Sequence, residues 1–171
     1  MLLLGGCVSP GYRAASPADL AGRLRGLGPS VDAGEASLAA ETACIYSIEL
    51  AREYRAVRPA IWHNVLVNVG LKPRGLCFQW ADDLSAKLDS LHLRTLQVRR
   101  GCARWDTRRE HSSVVLTAPG QAFTEGIVLD AWRHSGRLHW CGVTADKYPW
   151  IEVVLAGAGA DQPQTPPSSA R

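Results

Sequence analysis

The apolar residues change their spacing once, near Leu93, and that change constrains the fold more than any other feature. Before it they recur every three or four residues, and after it every second residue. A period near 3.6 belongs to helices, and a period of two to strands with one buried face. Helices first and strands afterwards is the order of an α+β domain. The chain's 171 residues, 46% apolar and 20% charged, suffice for one buried core.

"SPADLAGRLRGLG" offers Ser16 as N-cap, Pro17 at the first helical position and Gly28 as a stop. A longer helix is predicted over residues 36–56, with Leu38, Ile45, Ile48 and the alanines as its apolar stripe and Cys44 beside it. "RPAIWHNVLVNVGL" predicts a third helix, opened by Pro59 and closed near Gly70. After Gly75, residues Cys77, Trp80, Ala81, Leu84, Leu88 and Leu91 fall on one helical face, opposite Asp82, Asp83, Ser85 and Asp89. Five strands follow, in "RTLQVRRGCARW", "HSSVVLTA", "GIVLDAW", "RLHWCGVT" and "WIEVVLA", and successive strands predict an antiparallel meander. "APGQAF" marks the turn between the second and third. Trp105, Trp132, Trp140 and Trp150 fall in this half and are expected as core and rim packing.

Residues 1–16 read as a lipoprotein signal remnant and tether, 17–157 as a single domain, and 158–171 as a tail disordered by composition. "MLLLGGCVSP" is far short of the ~20 apolar residues of a transmembrane helix. Leu4-Gly5-Gly6-Cys7 resembles the lipobox of bacterial lipoproteins, which implies lipidation of Cys7 and anchoring to the membrane in the cell envelope, facing the periplasm. The alternative is a cytoplasmic protein in which "LGGC" is accidental. The net charge of +3 is small and scattered, so no nucleic-acid partner is expected. The basic run "VRRGCARWDTRR" contains Asp106, precedes Glu110, and reads as a solvated loop or edge strand.

Five cysteines are present. With Cys7 assigned to lipid and Cys77 to chemistry, Cys44, Cys102 and Cys141 allow at most one disulfide, and Cys102 and Cys141 lie in predicted strands. There is no C-x-x-C pair to hold a structural zinc. In "HSGRLHWC", His139 and Cys141 share a strand face with His134 nearby, a donor set that suits zinc but lacks a second anchoring pair. No metal and no cofactor are expected.

Taken alone, Cys77 would be read as one more buried apolar residue. Its place in the first turn of a helix gives it unpaired N–H groups and the positive end of the helix dipole, which favour a thiolate. A nucleophilic thiol also needs a base, and the base needs a group to orient it. The histidines are His63, His92, His111, His134 and His139. His111 is best placed, because it opens one strand while Asp130 ends the next. A tight hairpin centred on Gly120-Gln121 pairs residues whose numbers sum to 241, which sets His111 across from Asp130.

"GLCFQWADDLSAKL", then "EHSSVVL", then "GIVLDAW" resembles the transglutaminase-like branch of the papain-like superfamily of cysteine enzymes. The resemblance covers a little under half the chain. It implies a nucleophile helix packed on an antiparallel sheet, with Cys77 as nucleophile, His111 as base and Asp130 as the orienting carboxylate. "RGLCFQ" is also similar to the active-site stretch of arylamine N-acetyltransferases, a related fold, but "LDAW" suits the transglutaminase-like pattern better. Ser112 and Ser113 stand where that family often has Ala-Trp, and Ala131 where proline is common. The implied chemistry is acyl transfer on a peptide or protein amide, by an amidase, protease or transglutaminase-type transferase. The Cys77 N–H is a natural oxyanion donor, with Gln79, Asn68 or Trp80 as candidates for a second. The other expectation is a catalytically silent lipoprotein of the same fold that binds a peptide or an envelope partner.

Overall fold

A computed structural model of the chain describes residues 16–154, so Cys7, most of the tether and the tail at 158–171 lie outside the described residues. Four helices come first. They are α1 (Pro17–Arg25), α2 (Ala33–Glu53), α3 (Ala60–Asn68) and α4 (Cys77–Asp89). Asp32 starts α2 by accepting from the Glu35 N–H at 2.9 Å, three residues earlier than the apolar spacing predicts. The Glu35 carboxylate accepts from the backbone N–H groups of Arg94 and Thr95 and from the Thr95 hydroxyl, which ties α2 to the point where helices give way to strands.

The buried face of α2 is only partly the expected one. Leu38, Ile45 and Ile48 are 46%, 55% and 45% exposed, while Ala36, Ala39, Ala40, Ala43, Cys44, Ser47 and Leu50 are buried. Small side chains let α1 and α4 approach α2 closely, and Leu20, Leu24, Leu84 and Leu88 fill the space that the alanines leave. A leucine or isoleucine at those positions would hold the helices apart.

The strands are β1 (Gln97–Ala103), β2 (His111–Thr117), β3 (Ile127–Asp130), β4 (His139–Gly142) and β5 (Trp150–Val153). They form one antiparallel sheet in the order β4-β3-β2-β1-β5. The first four make the expected meander. β5 departs from it by crossing to the opposite edge, where Ala103 pairs with Trp150 and Cys102 with Ile151. Helix α4 lies on β1 and β2, and its core joins that of α2. The other sheet face has its own cluster of Ala103, Val115, Phe123, Val128, Val143 and Trp150.

Two further expectations change with this topology. The β2–β3 pairs are Val114↔Leu129, Val115↔Val128 and Leu116↔Ile127, a constant sum of 243 rather than 241. The connection is wider than a tight hairpin because it holds a short 3-10 turn at Phe123–Glu125, with Gln121 Oε1 accepting from the Ala118 N–H at 2.9 Å. Second, β3 and β2 lie between Cys141 and Cys102, a separation of three strand spacings, ~14 Å. Cys44, Cys77, Cys102 and Cys141 are all free thiols. Among the described residues, no helix is long and apolar enough to cross a membrane.

Candidate active site

The turn that delivers Cys77 is fixed from three sides. Gly75 has φ +123°, a conformation that side chains avoid, and a Cβ there would lie 2.3 Å from His63 Nε2. His63 is a buried bracket: Nδ1 accepts from the Val57 N–H at 3.2 Å and Nε2 donates to the Arg74 carbonyl at 2.9 Å. The Gly75 carbonyl accepts from Trp80 Nε1 at 2.9 Å. Gln79 Oε1 accepts from the N–H groups of Gly75 and Leu76, at 2.7 and 3.0 Å. Cys77 is then the first residue of α4, half-buried, with Sγ 3.8 Å from the carbonyl of Glu110. By position, its N–H is one that the helical ladder does not use.

Glu110 precedes His111, the first residue of β2. Extending the sum of 243 sets Asp130 opposite Ser113, so His111 and Asp130 are diagonal neighbours on one sheet face. Diagonal pairs lie within reach of long side chains, and His111 Nε2 meets Asp130 Oδ2 at 2.7 Å. The two-residue change of register thus keeps both groups on the same face. His111 Nδ1 is buried and has no hydrogen-bond partner. Trp132, Tyr148 and Trp150 surround the ring, with centroids at 4.7, 4.9 and 5.3 Å.

Burial is the largest single influence on His111 and acts to lower its pKa. The hydrogen bond and charge of Asp130, joined by the neighbouring Cys77, outweigh it and raise the ring to about 9. Burial likewise acts to raise the Asp130 pKa. The paired His111 and Arg133 prevail and hold the carboxyl below its usual range.

Asp130 has a second set of contacts. Its Oδ1 accepts from the Arg133 N–H and its Oδ2 from Arg133 Nε, both at 2.9 Å. The same guanidinium grips Asp146 through two bonds of 3.0 and 2.6 Å, and Trp150 Nε1 donates to Asp146 at 3.0 Å. Arg133 and Trp150 overcome the burial of Asp146 and bring it down to about 2. A groove of about 650 Å³ opens alongside, lined by Pro59, Ile61, Trp132, Arg133, His139 and Tyr148 among others. Three cations flank the Tyr148 ring, with Arg133 at 4.8, Arg104 at 5.2 and Lys147 at 5.4 Å from its centroid.

The structure brings Cys77, His111 and Asp130 to one place. It does not do so for every candidate. Asn68 is exposed at the end of α3, one turn beyond Asn64, whose Oδ1 accepts from Trp132 Nε1 at 3.0 Å. Trp80 is 2% exposed and its N–H is committed to Gly75, and the Gln79 carbonyl oxygen is committed to the helix start. His92 is exposed just past α4, while His134 and His139 stand together near the groove, ring centroids 5.8 Å apart. Trp150 is buried and Trp132 and Trp140 half-buried, but Trp105 is 57% exposed in the loop before β2.

Arg133, Asp146 and Tyr148 escape a reading of the sequence. Arg133 carried a usable signal, since an aspartate three residues before an arginine at a strand end suits a turn closed by its own side chain. Asp146 and Tyr148 carried none, because only the return of β5 places them here. Compared with known proteins, the chain matches no family model, no curated protein and no solved structure.

Proposed function

We propose that the chain is a cysteine acyl-transfer enzyme of transglutaminase-like, papain-like type, with Cys77 as nucleophile, His111 as acid and base, and Asp130 as the orienting carboxylate. The observation that carries this reading is the buried His111 ring. Its Nε2 is tied to Asp130 at 2.7 Å, its Nδ1 is left without a partner, and a helix-start thiol stands beside it. A histidine kept for packing would have both nitrogens satisfied, as His63 does.

The Cys77 sulfur attacks the carbonyl carbon of a peptide or protein amide, forming the C–S bond. The tetrahedral oxyanion faces the N–H groups at the start of α4. Imidazolium His111 gives its proton to the amine nitrogen as the C–N bond breaks, leaving a thioester on Cys77. Water or a second amine then attacks the thioester, yields its proton to His111, and returns the sulfur as thiolate. Water gives hydrolysis and an amine gives transfer. Asp130 keeps the ring in the tautomer that aims Nδ1 at the thiol. No cofactor enters these steps. From the Leu4-Gly5-Gly6-Cys7 stretch we place the enzyme in the bacterial cell envelope, held to the membrane by lipid at Cys7.

p-Nitrophenyl acetate supplies an activated acyl group, and intact and peptide mass spectrometry locates any acetyl adduct. The expected result is a rapid acetyl-Cys77 species that turns over faster when an amine is added, and that is lost in Cys77→Ser and His111→Gln. Acetylation of Cys77 no faster than of Cys44 or Cys102, whose thiols burial raises to about 11, would overturn the enzymatic reading. The alternative, a silent lipoprotein that binds a peptide or envelope partner, would then stand.

A further inference from the structure

On the edge strand β4, His139 and Cys141 occupy alternate positions and so point the same way, into the groove beside Arg133. Their donor atoms, His139 Nε2 and Cys141 Sγ, are 3.6 Å apart. Zinc bonds of about 2.3 Å to sulfur and 2.0–2.1 Å to nitrogen, set at the tetrahedral angle, leave those two atoms about 3.6 Å apart. An oxygen of Asp146, which also lines the groove, completes a set of three donor atoms that all lie within 4.8 Å of one another. We propose that His139 Nε2, Cys141 Sγ and a carboxylate oxygen of Asp146 form a site for a divalent cation of the zinc class, separate from the Cys77–His111–Asp130 group.

Two further observations support the site. Asp146 Oδ1 accepts one hydrogen bond, from Arg133 at 3.0 Å, which leaves a lone pair for a metal. Arg133 and Trp150 hold the carboxylate from behind, as outer partners of a metal ligand do.

Closing the three donors around an ion asks Asp146 to move by little more than an ångström, since a tetrahedral pair of ligand atoms lies ~3.5 Å apart. The ion displaces the thiol proton of Cys141 to solvent and with it the hydrogen bond from that thiol to Asp146, while the shift of Asp146 lengthens its bonds to Arg133 and Trp150. The fourth position opens onto the groove and takes a water molecule. Three protein ligands with an open position make an exchangeable site, in contrast to the closed four-ligand sets that hold folds together.

The test uses the full chain, stripped with a chelator and titrated with zinc sulfate against a chromophoric competitor. In parallel, mass spectrometry follows the iodoacetamide alkylation rate of every cysteine. We expect one zinc per chain and Cys141 alkylation slowed at least tenfold on loading, with the Cys77 rate unchanged. His139→Gln and Cys141→Ser each weaken zinc by at least the ~10–100-fold that disturbing even an outer partner costs, while Cys77→Ala binds as wild type does. The footprint on wild-type protein decides the matter even if a variant fails to fold. An unprotected Cys141 overturns the proposal wherever else the ion goes, and so does zinc affinity unchanged in folded His139→Gln. Loss of binding in Cys77→Ala would assign the ion to the catalytic pair instead. None of these outcomes depends on whether Cys77 is active.

Discussion

Replacing Asp130 by asparagine removes one charge from the centre and leaves its shape. In the wild type, His111 stays protonated up to about 9, against an ordinary value of ~6.5. Without the Asp130 charge, the burial of the ring prevails, and its pKa falls below ~6.5. At pH 7.5 the imidazolium population then drops from about 97% to under about 9%, roughly tenfold. The same shift measures stability. A group whose pKa is raised by folding contributes fully below its unfolded value, and the contribution disappears as pH rises through the folded value. The window here runs from ~6.5 to about 9. At ~1.4 kcal/mol per unit its depth is about 3 kcal/mol, or roughly 6–12 °C in Tm for a chain of this size. NMR titration of the His111 ring and denaturant melts at pH 6 and pH 9.5 would follow both quantities, and Cys77 alkylation at pH 7.5 would follow the thiolate. If Asp130→Asn leaves the His111 titration within half a unit of wild type, or keeps the stability loss between pH 6 and pH 9.5, the Asp130 charge does not govern the ring and the reasoning is refuted.

Gly75→Ala places a Cβ 2.3 Å from His63 Nε2 at a backbone angle that alanine avoids, and should cost at least about 2 kcal/mol. Adding His63→Ala should recover part of that loss in a double-mutant cycle read by urea melts, and simple additivity would show that ring and glycine are not in conflict. Gln79→Ala removes two accepted backbone bonds at the start of α4, a loss of about 1–2 kcal/mol that Gln79→Glu should restore. Equal Tm values for the three proteins would contradict this. Asp130 and Asp146 are both held low, so their contribution is present above ~4 and disappears as pH falls through their folded values. Arg133→Met should flatten that acid loss in melts between pH 5 and pH 2.

Local pattern showed most of the helices and strands and the meander of β1 to β4, but not the return of β5 or the way the helices pack. Cys77 at a helix start and His111 at a strand start follow from spacing and turn residues within a few positions of each. On α2 the alanines of the expected stripe are buried and its larger residues are not, because hydrophobicity alone carries no measure of how close two helices come. Leu38, Ile45 and Ile48 are the more apolar choice, but only alanines let two more helices pack so close. The β2–β3 register was off by two because a 3-10 turn cannot be told from a tight hairpin when Gly and Pro sit in both. Asp130 kept its face because the error was even, and an odd error would have turned it to the other side. Strand order, and with it Asp146, Tyr148 and the free state of Cys102 and Cys141, is not written in any short window of sequence.

The crossing of β5 to the far edge has a consequence in time. Synthesis delivers Cys77, His111 and Asp130 well before residues 146–153. Until that last stretch docks on β1, the imidazole is bare where Tyr148 and Trp150 will cover it, and Arg133 lacks its second carboxylate. At that stage Cys77, His111 and Asp130 are all made but still lack these neighbours. The surroundings of His111 are therefore complete only when β5 has docked on β1.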